Sequence, residues 1–171
     1  MEPSLYLLRV ERRIMEKIER MRIKPHHLVD IISSFGSGKP EFKPHPFGHA
    51  VHIVAETVFT NPDVEFQIEL GADTICSPCK YNVNNACIDT IDTSFRPLAP
   101  KSKNEWNLLI DRRWCGKLGL KQGDILTARR FAGILLEKAG NVSDIYCEFP
   151  PDLTLRKQAA IEKGVKFFLE K

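Results

Sequence analysis

Three of the chain's five cysteines fall within twelve positions, in Cys76-Ser77-Pro78-Cys79-x7-Cys87. This run constrains the fold more than any other feature of the sequence. A C-x-x-C pair closes a tight turn that sets two sulfurs side by side. A third cysteine eight residues later must return from a small loop to join them. Asn82, Asn84 and Asn85 suit that return, because asparagine tolerates turn conformations. Lys80 can offset part of the negative charge that builds up when thiolates gather. Whatever else the chain forms must hold this loop.

Other readings of the cysteines are weaker. A redox C-x-x-C pair opens a helix after a strand in a βαβ pattern, and no such pattern surrounds Cys76. Cysteine is also an ordinary small core residue, but a polar, Asn-rich loop is poor core material. Metal binding is therefore the expectation. An iron–sulfur cluster and zinc accept the same ligands at these spacings. A closed site needs a fourth ligand. Cys115, on an expected helix beside Trp114, is the favoured choice, with Cys147, Asp30 and a histidine as alternatives.

The rest of the chain reads as mainly helical (α+β), with a short strand and the cysteine loop in one domain. At 171 residues one domain is expected. Ser4 to Arg22 carries Leu7, Val10, Ile14, Ile18 and Met21 at helical spacing among basic residues. It reads as an N-terminal basic amphipathic helix (residues 1–23), ahead of the metal-binding domain (24–171). That helix could pair two copies of the chain. Pro25 opens a second helix that stops near Phe35, at Gly36-Ser37-Gly38. A third is expected from Pro46 to Phe59. Val64 to Leu70 alternates apolar and polar residues and reads as a strand. Helices follow over 104–118, from a cap at Thr127 through Glu137, and from Leu155 to Leu169, while 95–103 reads as an exposed proline-rich loop.

Charge and hydropathy exclude several classes. A net charge of +3 gives no electrostatic case for nucleic acid. No apolar stretch is long enough to span a membrane. Glu2 and Arg9 break up the start, and no small-residue cleavage site follows, so no secretory signal is expected. The cytoplasm is the expected location, where close-spaced thiols stay reduced and hold metal.

The histidines are not scattered. At about 100° per residue, His45, His49, His52 and Glu56 share a sector of roughly 60° on the expected third helix. Neighbours on such a stripe are close enough to share an ion, although a solvated face is the competing reading. His26 and His27 occupy the first turn of the second helix, where the helix dipole favours neutral imidazole. Capping or packing is the competing reading there.

Read in order, several motifs resemble a known family. They are Lys24-Pro25-His26-His27-Leu28, Phe35-Gly36-Ser37-Gly38, Gly71-Ala72-Asp73-Thr74-Ile75-Cys76, Cys79, Cys87 and Leu109-Ile110-Asp111-Arg112-Arg113. The chain resembles, over Arg22 to Glu137, a domain-of-unknown-function family of small prokaryotic proteins described as candidate iron–sulfur binders. The resemblance implies an iron–sulfur cluster rather than zinc. Two departures matter. The family's cysteine after His-His-Leu-x falls on Asp30, and a cysteine stands instead at position 115. Either could complete the ligand set.

Three functional readings follow. The first is a cytoplasmic iron–sulfur protein for electron transfer or sensing, working with a redox partner protein and ligated by Cys76, Cys79, Cys87 and Cys115. The second is a metalloenzyme that adds His26, His27, His49, His52 and Glu56 to the cysteine loop, with Glu56 or Asp111 as general base. The third is a zinc-stabilised interaction module.

Overall fold

The computed structural model describes residues 20–38 and 41–171. The expected N-terminal helix lies mostly outside these residues. Its last part does not extend to Arg22, because Arg22–Ile23 forms a strand, β1. Helix α1, Pro25–Gly36, follows at once, with proline at its first turn where a missing N–H costs nothing. Leu28, Val29, Ile31, Ile32 and Phe35 are all buried. The helix is therefore apolar over most of its surface and sits at the centre of the molecule.

The chain is mainly helical with a few short strands, in one compact domain. After α1 come α2 (Val51–Thr60) and β2 (Glu65–Ile68). The cysteine loop follows, with its own hairpin of β3 (Asn82–Val83) and β4 (Ala86–Cys87). Next are α3 (Lys103–Leu118), β5 (Ile125–Thr127), α4 (Ala128–Lys138) and α5 (Pro151–Leu169). β2 is the centre of a three-stranded sheet, parallel to β1 and antiparallel to β5. Phe66 on β2 meets Phe131 of α4 edge to face, and Trp114, Phe66, Phe131 and Phe168 are fully buried. α1 crosses α5 with backbone close to backbone. A Cβ on Gly164 would clash with the Ile32 carbonyl oxygen, and one on Gly36 with that of Ala160.

Local chemistry sets several element ends. Ser102 caps α3 by accepting from the Glu105 N–H, and Gly119 ends that helix at φ 70°. Thr127 caps α4 by accepting from the Arg130 N–H at 3.0 Å. Replacing Thr127 with alanine leaves that N–H without its acceptor, and is expected to cost about 1 kcal/mol. A lower urea midpoint at unchanged slope would register the loss. α5 starts at Pro151, earlier than Leu155, because the second proline of Pro150-Pro151 fits the first helical turn.

The third helix departs most from expectation. It begins at Val51 rather than Pro46. Gly48 sits at φ 80°, and its N–H closes a turn onto the His45 carbonyl. That conformation interrupts a right-handed helix, so His45 and His49 precede α2 instead of riding on it. The four-residue stripe is broken. Only His52 and Glu56 are helical, and Glu56 is exposed. Among the described residues no helix is long and apolar enough to cross a membrane.

Candidate metal centre

β1, α1 and the cysteine loop are joined through one carboxylate. Asp73 is fully buried. Its Oδ2 accepts the Lys24 backbone N–H at 2.9 Å and faces His27 Nδ1 at 2.7 Å. Its Oδ1 accepts the Cys76 N–H at 2.9 Å. Beside it, Arg22 donates its N–H to Thr74 Oγ1, and the Thr74 N–H returns to the Arg22 carbonyl. One side chain thus fixes the start of α1, the ring of His27 and the start of the cysteine turn. Burial opposes its charge, yet His27 and the two backbone N–H groups hold its pKa below the usual carboxylate range.

The backbone of the cysteine loop forms the expected turn and returning hairpin, but Cys79 and Cys87 do not join Cys76 in one close group of ligand atoms. The Cys79 N–H donates to the Cys76 carbonyl, closing the C-x-x-C turn. Asn82 pairs with Cys87 across the β3–β4 hairpin. Asn84 and Asn85 form its two-residue loop at φ 48° and 67°, the left-handed conformation such a turn demands. Lys80 donates its N–H to the Phe47 carbonyl and holds its ammonium 4.8 Å from the Phe47 ring. The proline- and histidine-bearing loop before α2 is thereby fastened over the cysteines.

A cavity of about 260 Å³ results. Cys76, Cys79, Cys87, His27, His49 and Asp30 line it together, with Phe42, Phe47, Ile75 and Tyr81 as apolar walls. His27 gives Nδ1 to Asp73, which leaves Nε2 as its free nitrogen. A carboxylate behind a histidine is the arrangement that orients imidazole ligands toward metals. Burial and the neighbouring His26 keep the His27 pKa below the ordinary value. The Cys76 thiol is pushed up to about 11, first by burial and then by Asp73. Lys24 Nζ, 3.5 Å from Cys76 Sγ, partly opposes that rise. His49 Nδ1 is buried without a hydrogen-bond partner, and burial and His45 lower its pKa. An orphaned nitrogen in a wall that carries three sulfurs is chemistry suited to a soft or borderline metal.

Distances narrow the possibilities. Among the described residues, His27, Asp73 and Cys76 place one ligand atom each within 4.8 Å of one another and could hold a metal ion. Cys79 and Cys87 are not part of that close group. A tetrahedral zinc with bonds of about 2.3 Å would draw its sulfurs to about 4 Å apart. An iron–sulfur cluster tolerates wider spacing, since each cysteine binds a different iron.

The remaining sequence candidates lie elsewhere. Cys115 is buried in the core by α3 and does not line the cavity. Cys147 is exposed on the loop before α5. His52 and Glu56 do not line the cavity, and His52 Nδ1 is a second buried nitrogen without a partner. His26 turns to the other side of α1. Fully buried Asp111 accepts its backbone N–H and faces its Nδ1, each at 2.8 Å. Burial lowers the His26 pKa, but Asp111 and Asp30 more than offset this, so the net shift is upward. Asp111 thus holds both the backbone and the ring of His26. Asp73 and Lys24 stand in the motifs that carry the family resemblance, but neither is assigned a role from the sequence. The only local signal was the Asp-x-x-Cys spacing, which lets a carboxylate accept the N–H three residues on. The chain matches no protein-family model, and no curated protein and no solved structure is significantly similar to it.

Proposed function

We propose that this chain is an iron–sulfur protein, with Cys76, Cys79, Cys87 and His27 as ligands, whose cluster serves electron transfer or sensing. The observation that carries the reading is the convergence of all four side chains on one cavity, with the Asp73 carboxylate behind the His27 ring. His27 then takes the fourth place expected of Cys115. His49, with its orphaned nitrogen, stands beside it in the same wall. Phe42, Phe47, Ile75 and Tyr81 would limit water at the cluster, which tunes both its potential and its lifetime.

The close grouping of His27, Asp73 and Cys76 favours a second reading, a single zinc ion. Anaerobic purification with iron, zinc and acid-labile sulfide analysis separates the two. Iron and sulfide in matched amounts, with visible absorption, are expected. Zinc near one equivalent without sulfide would reject the cluster. Cys79→Ser should reduce bound metal to background, whereas Cys115→Ala should retain it. Loss of metal in Cys115→Ala at unchanged secondary structure would return the fourth position to Cys115.

A further inference from the structure

The far side of α1 opens onto a second cavity of about 320 Å³. It shares His27, Asp30, Lys103 and Asn107 with the cavity of the cysteines. Its floor is apolar, formed by Ile91, Ile110 and the rings of Trp106, Tyr146 and Phe149. Its formally charged groups are mostly cationic: Arg96, Lys103 and Lys157, against the one carboxylate of Asp30.

Arg96 is the unusual member. Its guanidinium carbon lies 4.9 Å from the Phe95 ring centroid, 4.8 Å from Trp106 and 5.3 Å from Phe149. Its Nε donates to the Asp92 carbonyl at 2.8 Å. Three rings and a backbone bond therefore surround the guanidinium. Among the described residues no carboxylate pairs with its two terminal nitrogens. Lys103 and Lys157, by contrast, each have a partner, in Asp89 at 2.9 Å and Asp30 at 3.6 Å. Burial against the rings disfavours the guanidinium charge, and the nearby Asp92 carboxylate offsets only part of this, so the net shift of the Arg96 pKa is downward. What this arrangement gains is a preorganised, bidentate receptor for an oxyanion. The Asn107 side chain makes no hydrogen bond among the described residues, and His26 presents its Nε2, since Nδ1 is held by Asp111.

We propose that this second cavity binds a small organic oxyanion, a carboxylate or phosphate monoester on a flat apolar body, with Arg96 as its principal anchor. The oxygens meet the Arg96 fork, and the apolar body lies against Trp106 and Phe149. A ligand seated there borders the cysteine cavity across His27, Asp30 and Asn107. It is thus placed to act as substrate or effector of that centre. The binding claim itself does not depend on which metal, if any, the cysteines hold.

Calorimetric titration of the purified chain with benzoate, phenyl phosphate and neutral benzamide tests this, with metal content measured on the same samples. One of the two anions should bind at least about tenfold more tightly than benzamide, as expected for a charge-assisted bidentate contact. Arg96→Gln should lose at least about tenfold of that affinity, and Arg96→Lys an intermediate amount, because lysine keeps the charge but not the fork. Arg129→Gln, which breaks an exposed pair with Asp63 elsewhere, should bind as the parent does. Equal binding of benzamide and both anions, no binding by either anion, or full affinity in Arg96→Gln would each overturn the proposal. Circular dichroism and unchanged metal content show that the Arg96 variants are folded. Anion binding without metal would sink the cluster reading alone, and metal without anion binding would sink only this one.

Discussion

Gly164→Ala is expected to destabilise the chain by about 3 kcal/mol, at the upper end of what one added methyl costs in a filled core. The cause is backbone, not side chain. At the α1–α5 crossing a Cβ on residue 164 would run into the Ile32 carbonyl oxygen and approach the Cα of Ser33. A flexible side chain could move aside, but two packed helices must separate. Gly36 faces the same crossing from α1, against Ala160 and the Gly164 N–H. Separation would also disturb Phe35, which stacks on Phe59, Phe167 and Phe168 around that contact. The comparison is Gly116→Ala. Gly116 is exposed on α3, and a Cβ there would meet nothing within 4 Å. That change should stabilise by about 1 kcal/mol, the ordinary helix preference for alanine over glycine. Urea unfolding of the two variants should shift in opposite directions. Parallel shifts would mean that the crossing relaxes at little cost.

Neither glycine's role is visible in the sequence, and the reason is general. Sequence signals report what is settled within a few residues. The Thr127 cap, the proline start of α1 and the Asn84-Asn85 turn are of that kind, and the structure forms each where it was expected. His26, His27, Asp73 and Asp111 all stand in motifs that the sequence marks, but which of them pair with one another is silent, because the partners lie far apart in the chain. Asp73 meets His27 across 46 positions and Asp111 meets His26 across 85. Arg96 lies in a proline-rich stretch that reads as exposed loop, and only the return of Phe149 and Trp106 makes it a receptor. The histidine stripe failed for the opposite reason. The pattern of His45, His49, His52 and Glu56 runs through Gly48, whose left-handed backbone and neighbouring prolines interrupt the helix that a shared face requires. His49 still reaches the cysteines, but from a loop, and His52 and Glu56 do not line the cavity. The sequence sets Cys115 beside Trp114, a ring that would shield a cluster. Trp114 is indeed fully buried, but it packs edge to face with Tyr146 in the core, and Cys115 is buried with it.

Asp73→Ala is the change expected to damage both fold and centre. The Lys24 N–H, the Cys76 N–H and the His27 ring N–H would lose their acceptor together. Each unsatisfied buried donor costs about 1–3 kcal/mol. Water entering the space left behind would relieve part of the sum, so a total near 4 kcal/mol is expected, enough to threaten a domain of ordinary stability. Asp73→Asn is the more informative variant. Its one carbonyl oxygen can serve one side of the junction, while its amide nitrogen, itself a donor, must face an N–H on the other. If the carbonyl keeps the Cys76 N–H, His27 loses the partner that fixes its tautomer, and metal affinity should fall by about 10–100-fold, the usual consequence of removing the group behind a ligating histidine. His27→Ala tells the two effects apart. It removes the proposed ligand but leaves Asp73 to accept both backbone N–H groups, so it should weaken metal binding with a smaller loss of stability. Should His27→Ala bind metal as tightly as the parent while Asp73→Asn does not, the carboxylate would be the ligand itself. That outcome would favour the single zinc ion held by the close His27, Asp73 and Cys76 group. The cluster reading instead uses His27 Nε2, which faces no partner among the described residues, while both Asp73 oxygens accept from the backbone and Oδ2 also faces the ring.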